Sequence, residues 1–78
     1  MSDTIISTIP KNAAEELRVT LTEFNGHNLC DLRLYAAYRT TGEIGPTKKG
    51  ITVSVALLPA IIAGLQEAEA EARRRGLL

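Results

Sequence analysis

The segment Gly42–Ile51 reads Gly-Glu-Ile-Gly-Pro-Thr-Lys-Lys-Gly-Ile and stands where a predicted sheet gives way to a helix. Lys48 and Lys49 are the only adjacent lysines of the sequence, and they lie between Pro46 and Gly50. A proline and a glycine this close predict a bent or bulged strand instead of a straight central one. The segment therefore predicts a cationic turn that feeds the last strand, although two adjacent lysines are more commonly an ordinary solvated turn.

Two stretches before this segment alternate between apolar and polar residues, the pattern of half-buried strands. They run from Leu17 to Phe24 and from Asn28 to about Tyr38. Asn25-Gly26 comes between them and predicts a two-residue hairpin, because both residues accept positive φ angles at little cost. A shorter apolar patch, Ile5–Pro10, predicts a weak first strand. The predicted apolar face carries Leu17, Val19, Leu21, Cys30, Leu32 and Leu34, which Ile51 and Val53 can join.

The stretch from Val55 to about Arg75 predicts one helix, with Ser54 as its N-cap and Gly76 just past its end. From Val55 to Leu65 it carries no charged or hydrogen-bonding side chain. A helix that is apolar all round is buried on more than one side, and one sheet covers only one side. The sequence therefore predicts a homodimer formed through the helices. The predicted interface residues are Leu57, Ala60, Ile61, Gly64 and Leu65.

Composition narrows the functional classes. The 78 residues predict a single domain over positions 1–78, with nine basic and nine acidic side chains and no net charge. Because the chain has one cysteine and one histidine, it can form neither an internal disulfide nor a zinc site made of cysteine and histidine ligands. No catalytic triad or carboxylate pair is evident, and strand parity argues against a pairing of Cys30 with His27. We expect a protein that is not an enzyme and that needs no cofactor or metal.

The N-terminal residues lack the basic start and apolar core of a secretory signal. No apolar run approaches the roughly 20 residues of a membrane span. We therefore expect a cytoplasmic protein without a membrane partner, associated with the nucleoid if the source is bacterial.

Two features each have a functional and a purely structural interpretation. Phe24 falls with the polar residues of its strand, where it either covers a sheet edge or offers a stacking platform for a base, and parity alone favours the first. The run Arg73–Arg75 is either a solvated helix end or a phosphate-binding patch, and the glutamates that precede it favour the first through Glu69–Arg73 and Glu71–Arg75 pairs.

The order of these short motifs resembles the single-stranded-DNA-binding domain of the transcriptional positive cofactor four family, over about residues 9–65. The motifs are Phe-x-Gly at Phe24, Asp-apolar-Arg at Asp31–Arg33, and Pro-x-Lys-Lys-Gly-Ile at 46–51. The resemblance implies an α+β fold: a curved antiparallel four-stranded sheet followed by one C-terminal helix, paired into a dimer through the helices. It also implies a cradle for single-stranded DNA.

The resemblance implies site residues as well. Phe24 matches the family's base-stacking aromatic, and Arg33, Lys48 and Lys49 match basic positions of the DNA groove. Ala36 stands where better-known members have a tryptophan, so a second ring is either missing or supplied by Tyr35 or Tyr38. The predicted nucleic-acid-binding set is Arg18, Phe24, His27, Arg33, Tyr35, Tyr38, Arg39, Lys48 and Lys49.

The sequence thus predicts a dimeric module that binds single-stranded DNA or RNA without reading sequence, with the transcription machinery as a further partner. Because the net charge is zero and the tryptophan is absent, the alternative is a dimeric protein-interaction module on the same scaffold, with weak or lost DNA binding.

Overall fold

The computed structural model describes residues 3–78, which form a four-stranded antiparallel sheet followed by one C-terminal helix. The strands are β1 (Thr4–Pro10), β2 (Glu15–Phe24), β3 (His27–Ala37) and β4 (Ile44–Ser54). They lie in chain order, so each strand pairs with the next. A 3₁₀ turn over Val55–Leu57 leads into helix α1, Leu58–Arg74. The predicted α+β fold, an antiparallel four-stranded sheet followed by one C-terminal helix, is confirmed, and the weak first strand is present at full length.

The alternation of β2 and β3 divides the sheet into two chemically different faces. Leu17 lies opposite Leu34 and Arg18 lies opposite Arg33, and residues directly opposite share a face. The apolar face carries Leu17, Val19, Leu21, Cys30, Leu32, Leu34, Ile51 and Val53. The polar face carries Glu16, Arg18, Thr20, Thr22, Phe24, Asp31, Arg33, Tyr35 and Thr52.

The turn between β2 and β3 has the predicted two-residue form. Asn25 has a φ angle of 52° and Gly26 one of 78°, both in the left-handed region. Such a turn matches the right-handed twist of the flanking strands. It sets the register in which Phe24 lies opposite His27 and Glu15 lies opposite Ala36.

The predicted irregularity of β4 is a bulge over residues 47–49. Arg33 pairs with Gly50 and Tyr35 pairs with Pro46, so three residues of β4 face the single residue Leu34. Thr47 holds the bulge: its Oγ1 donates to the Leu34 carbonyl at 2.8 Å and accepts from the Lys49 amide at 3.2 Å. The bulge thus presents both lysines without a ladder partner of their own.

The predicted helix divides in two at its start. Ser54 Oγ accepts from the Ala56 amide at 3.3 Å and caps the 3₁₀ turn, and the α-helix begins only at Leu58. This places Pro59 in the first helical turn, where its missing N–H costs nothing. At the other end Gly76 has a φ of 74°, and the Leu77 amide donates to the Ala72 carbonyl at 2.8 Å.

The core of a single chain is very small. Within residues 3–78 the buried apolar side chains are Cys30 and Leu34, so the prediction of Cys30 as a core residue is confirmed. Helix α1 stands off the apolar face and leaves a cavity of about 300 Å³, lined by apolar side chains of β2, β3, β4 and α1. Leu57, Ile62 and Leu65 are each more than half exposed. No helix among the described residues has the length and apolar character to cross a membrane.

Candidate nucleic-acid interface

Arg33 is fixed on the polar face by a dense set of hydrogen bonds. Its Nε and Nη2 donate to the two carboxylate oxygens of Asp31, each at 3.0 Å, and its Nη1 donates to the Thr47 carbonyl at 3.0 Å. Thr52 Oγ1 donates to the same carboxylate at 2.7 Å. Most of the hydrogen-bonding capacity of this guanidinium is therefore used within the protein.

These contacts shift the pKa values of both Asp31 and Arg33. Burial raises the pKa of Asp31, but hydrogen bonds from Arg33 and Thr52 outweigh burial and leave that pKa below its usual value. The hydrogen bond from Arg33 to Asp31 raises the pKa of Arg33. The two residues thus form a charged pair that is neutral as a unit at physiological pH.

Arg18 lies across from Arg33 and is held in a similar way. Its Nε donates to Glu16 at 2.6 Å, and its guanidinium carbon lies 4.3 Å from the centroid of the Tyr35 ring, a cation–π geometry. Each arginine of the polar face therefore has a carboxylate of the same face as its partner. Arg18 thus covers one face of the Tyr35 ring.

Phe24 and His27 lie opposite each other at the hairpin, and Phe24 is 57 % exposed. From His27 to Arg33 the chain advances six residues along β3, a distance of about 20 Å at 3.3 Å per residue. Within one chain Phe24 and the bulge lysines therefore lie toward opposite ends of the sheet.

A groove of about 380 Å³ lies over the part of the apolar face that the helix leaves open. Lys49 lines it together with Lys11, and both flank an apolar floor. We call it the lysine groove; it is lined by Lys11, Leu17, Leu32, Leu34, Lys49, Gly50 and Ile51. Sequence reasoning missed Lys11, which precedes β2 in a connection with no periodic pattern.

Glu15, the first residue of β2, lies beside this groove. Its Oε1 is 3.6 Å from Lys11 Nζ and accepts a hydrogen bond from Asn12 Nδ2 at 2.8 Å. The hydrogen bond from Asn12, the charge of Lys11 and, more weakly, the charge of Lys49 lower the pKa of Glu15. The Glu15 carboxylate thus contacts Lys11, one of the two lysines that line the groove.

Tyr38 stands at the same end of the sheet. Its ring lies over Gly45, and its hydroxyl is 3.4 Å from the Pro46 carbonyl. Gly45 pairs with Ala36, which in turn pairs with Glu15. Tyr38 is 49 % exposed and is the more exposed of the two tyrosines.

The sequence profile of the family described as Transcriptional Coactivator p15 (PC4) matches residues 11–64, more than half of the chain. The chain belongs to the PC4 family. This confirms the resemblance on which the predicted site was based, and the matched range includes the hairpin, the bulge and the lysine groove.

Solved structures of PC4 homologues agree with this membership. A homologue from Burkholderia pseudomallei K96243 is 31 % identical, covers 87 % of this chain and 98 % of its own in one crystal form, and superposes with a TM-score of 0.79. The bacteriophage T5 homologue of the eukaryotic coactivator, implicated in recombination-dependent DNA replication, is 25 % identical with a TM-score of 0.63, and the match covers 97 % of this chain and 93 % of its own. Comparison with curated protein sequences gives no match.

In this PC4-family chain the predicted set falls into three groups. Arg18, Arg33 and Tyr35 lie together on the polar face, and Phe24 and His27 form the hairpin pair. Tyr38, Arg39, Lys48 and Lys49 belong to the end of the sheet where β3 leaves and β4 enters. The structure adds Lys11 and Glu15 to the third group.

The arginines at the end of α1 form ion pairs with glutamates of the same helix. Arg73 pairs with Glu69 at 3.3 Å, and Arg75 pairs with Glu71 at 2.8 Å, as predicted; Arg74 also contacts Glu71. Hydrogen bonds from Arg75 and Arg74 lower the pKa of Glu71. This agrees with the interpretation of a solvated helix end.

Proposed function

We propose that this protein is a homodimeric, non-enzymatic module that binds single-stranded DNA or RNA without reading its sequence. The observation that carries the proposal is PC4-family membership over residues 11–64, in a chain that retains the exposed Phe24 and the paired bulge lysines. The family description names a transcriptional coactivator, and the phage T5 homologue is implicated in DNA replication. Both support a role in transcription or DNA handling, with the transcription machinery as a further partner.

The chemistry of the two retained features suits a single strand. A base stacked on an exposed aromatic ring such as Phe24 contributes about 1–3 kcal/mol, whichever base it is. Lys48 and Lys49 offer exposed ammonium groups on a bulge that needs neither side chain for its own hydrogen bonds. Their attraction to phosphates weakens as salt rises, because binding releases counterions.

The dimer has support in the size of the uncovered surface. The chain exposes 6068 Å², whereas a monomer of this length exposes about 4,600 Å². The excess of about 1,450 Å² falls within the roughly 1,000–2,500 Å² per partner that obligate dimers bury. The radius of gyration of 14.8 Å likewise exceeds the roughly 11.5 Å of a compact 78-residue domain.

Fluorescence anisotropy with a labelled, unstructured oligonucleotide tests the proposal. We expect binding at low salt that weakens as salt is raised, and its loss in the combined variant Phe24→Ala, Lys48→Ala, Lys49→Ala. The control is Arg73→Ala with Arg74→Ala, which also removes two positive charges but at the far end of α1. Absence of binding by the unaltered protein at low salt, or equal affinity of the site variant and the control, would refute the proposal.

A protein-interaction module on the same scaffold is the second candidate. It is favoured by the pairing of both polar-face arginines with carboxylates, which leaves little positive charge on that face. Under this alternative the dimer forms but binds oligonucleotides weakly or not at all, even at low salt. The same titration, run with DNA and RNA oligonucleotides, therefore separates the two candidates.

A further inference from the structure

An anion of the protein itself lies beside the lysine groove, because the Glu15 carboxylate contacts Lys11, which lines the groove. That carboxylate is 3.6 Å from Lys11 Nζ, accepts a hydrogen bond from Asn12, and feels the charge of Lys49. The amide of Asn12 and the ammonium group of Lys11, which contact this carboxylate, are also the kinds of partner that a phosphate of a nucleic acid takes.

The ion pair is open to exchange. The side chains of Lys11 and Glu15 are 53 % and 28 % exposed, and exposed pairs of long side chains are held weakly. A phosphate can therefore displace the carboxylate from Lys11. It does so against repulsion from Glu15, which stays nearby because β2 fixes its backbone opposite Ala36.

The row of paired residues that includes Glu15 leads to an aromatic ring two strands away. Glu15 pairs with Ala36, Ala36 pairs with Gly45, and the Tyr38 ring lies over Gly45. A base stacked on Tyr38 would bring its adjoining phosphates toward the groove that Lys11 and Lys49 line. The carboxylate thus lies where the backbone of a stacked strand would pass.

We propose that Glu15 is an internal competitor of phosphate in the lysine groove, and that it limits how tightly this protein holds a single strand. The inference rests on the proposed function. Removing the negative charge frees Lys11 and Lys49 for the ligand and removes the repulsion in one step. Glu15 is in this sense an affinity-determining residue of the site.

The test compares Glu15→Gln with Glu67→Gln in the full chain. Both substitutions raise the net charge by one, but Glu67 is on α1, outside the groove. With a labelled oligo-dT at low salt we expect Glu15→Gln to bind at least fivefold tighter than the unaltered protein, and Glu67→Gln to stay within twofold. The slope of log K against log salt should steepen by about 0.7 for each additional phosphate that the protein neutralises.

A second measurement follows the carboxyl group itself. NMR titration of Glu15 should give a pKa below the usual value in the free protein and a higher one with oligo-dT bound, because phosphate then takes its cationic partners. Equal affinities of the two variants, or a Glu15 pKa that does not move on binding, would overturn the inference while leaving the proposed function intact. If neither the unaltered protein nor Glu15→Gln binds, the proposed function fails and this inference fails with it.

Discussion

The ring of Tyr38 lies over the backbone of Gly45, in the space that a Cβ of residue 45 would take. Because Gly45 has no side chain, the Tyr38 ring can occupy this space. One side of the ring packs on the sheet, and about half of the residue remains exposed. One face of the other tyrosine, Tyr35, is covered by Arg18, whose guanidinium carbon lies 4.3 Å from the ring centroid.

Replacing Tyr38 with alanine should weaken oligonucleotide binding. Loss of one stacked base costs about 1–3 kcal/mol, which corresponds to a fall in affinity of about 5- to 150-fold, measurable by fluorescence anisotropy. Tyr38→Phe keeps the ring and should bind within about twofold of the unaltered protein. An alanine variant that binds normally would show that Tyr38 takes no part.

The oligomeric state is checked by light scattering. We expect a dimer at micromolar concentration, and we expect Leu65→Arg to abolish it because Leu65 is 61 % exposed on the helix beside the apolar cavity. The matched control is Leu77→Arg, which adds the same charge to a side chain that is 72 % exposed beyond the end of α1. A stable monomer of the unaltered chain would contradict the argument from exposed apolar area.

Gly50 should tolerate no side chain. A Cβ there would lie 2.7 Å from the Leu32 carbonyl oxygen and 2.9 Å from Arg33 Cα, and backbone atoms cannot rotate away. Gly50→Ala should therefore lower the free energy of unfolding by about 1–3 kcal/mol, as overpacking does, in urea denaturation. Lys48→Ala, two positions away on the exposed bulge, should change it by less than about 0.5 kcal/mol. Equal stability of the two variants would exclude the close approach of β3 and β4 at this glycine.

Acid should weaken the fold through Asp31. The folded-state pKa of Asp31 is below its usual value, so the ionised carboxylate contributes stability above that usual value, and the contribution is lost as pH falls through the folded pKa. We expect Asp31→Asn to be less stable than the unaltered protein at neutral pH and the difference to narrow as pH falls below the usual range of aspartate, as judged by urea unfolding. A difference that stays constant over this range would mean that the charge of Asp31 contributes nothing.

Much of the fold follows from local sequence. The apolar/polar alternation of β2 and β3 predicted two paired strands, and Asn25-Gly26 predicted the turn between them. Pro46 and Gly50 predicted an irregular β4. The structure has all three features. The start of α1 was harder to predict from the sequence, because Pro59 is compatible with a helix that begins at Val55 or at Leu58. Propensity alone does not distinguish a 3₁₀ turn from an α-helical one over so few residues.

The site was harder to predict than the fold. Strand parity placed Arg33 beside Asp31 on one face, and that spacing could have indicated their mutual neutralisation. The proximity of Lys11, Glu15, Tyr38 and Lys49 arises from the register of three strands and the path of two connections, which no periodic pattern encodes. Sequence therefore missed Lys11, in the connection before β2, and Glu15, the first residue of β2.

In the β4 bulge, the residue that stabilises the backbone is not one of the residues that carry the surface charge. Thr47 secures it through its hydroxyl and the Leu34 carbonyl, while the side chains of Lys48 and Lys49 are exposed. Residues 48 and 49 can consequently exchange for other polar residues without disturbing the strand pairing. This fold can thus change its charge, and with it its affinity for polyanions, by single substitutions that leave its folding unaffected.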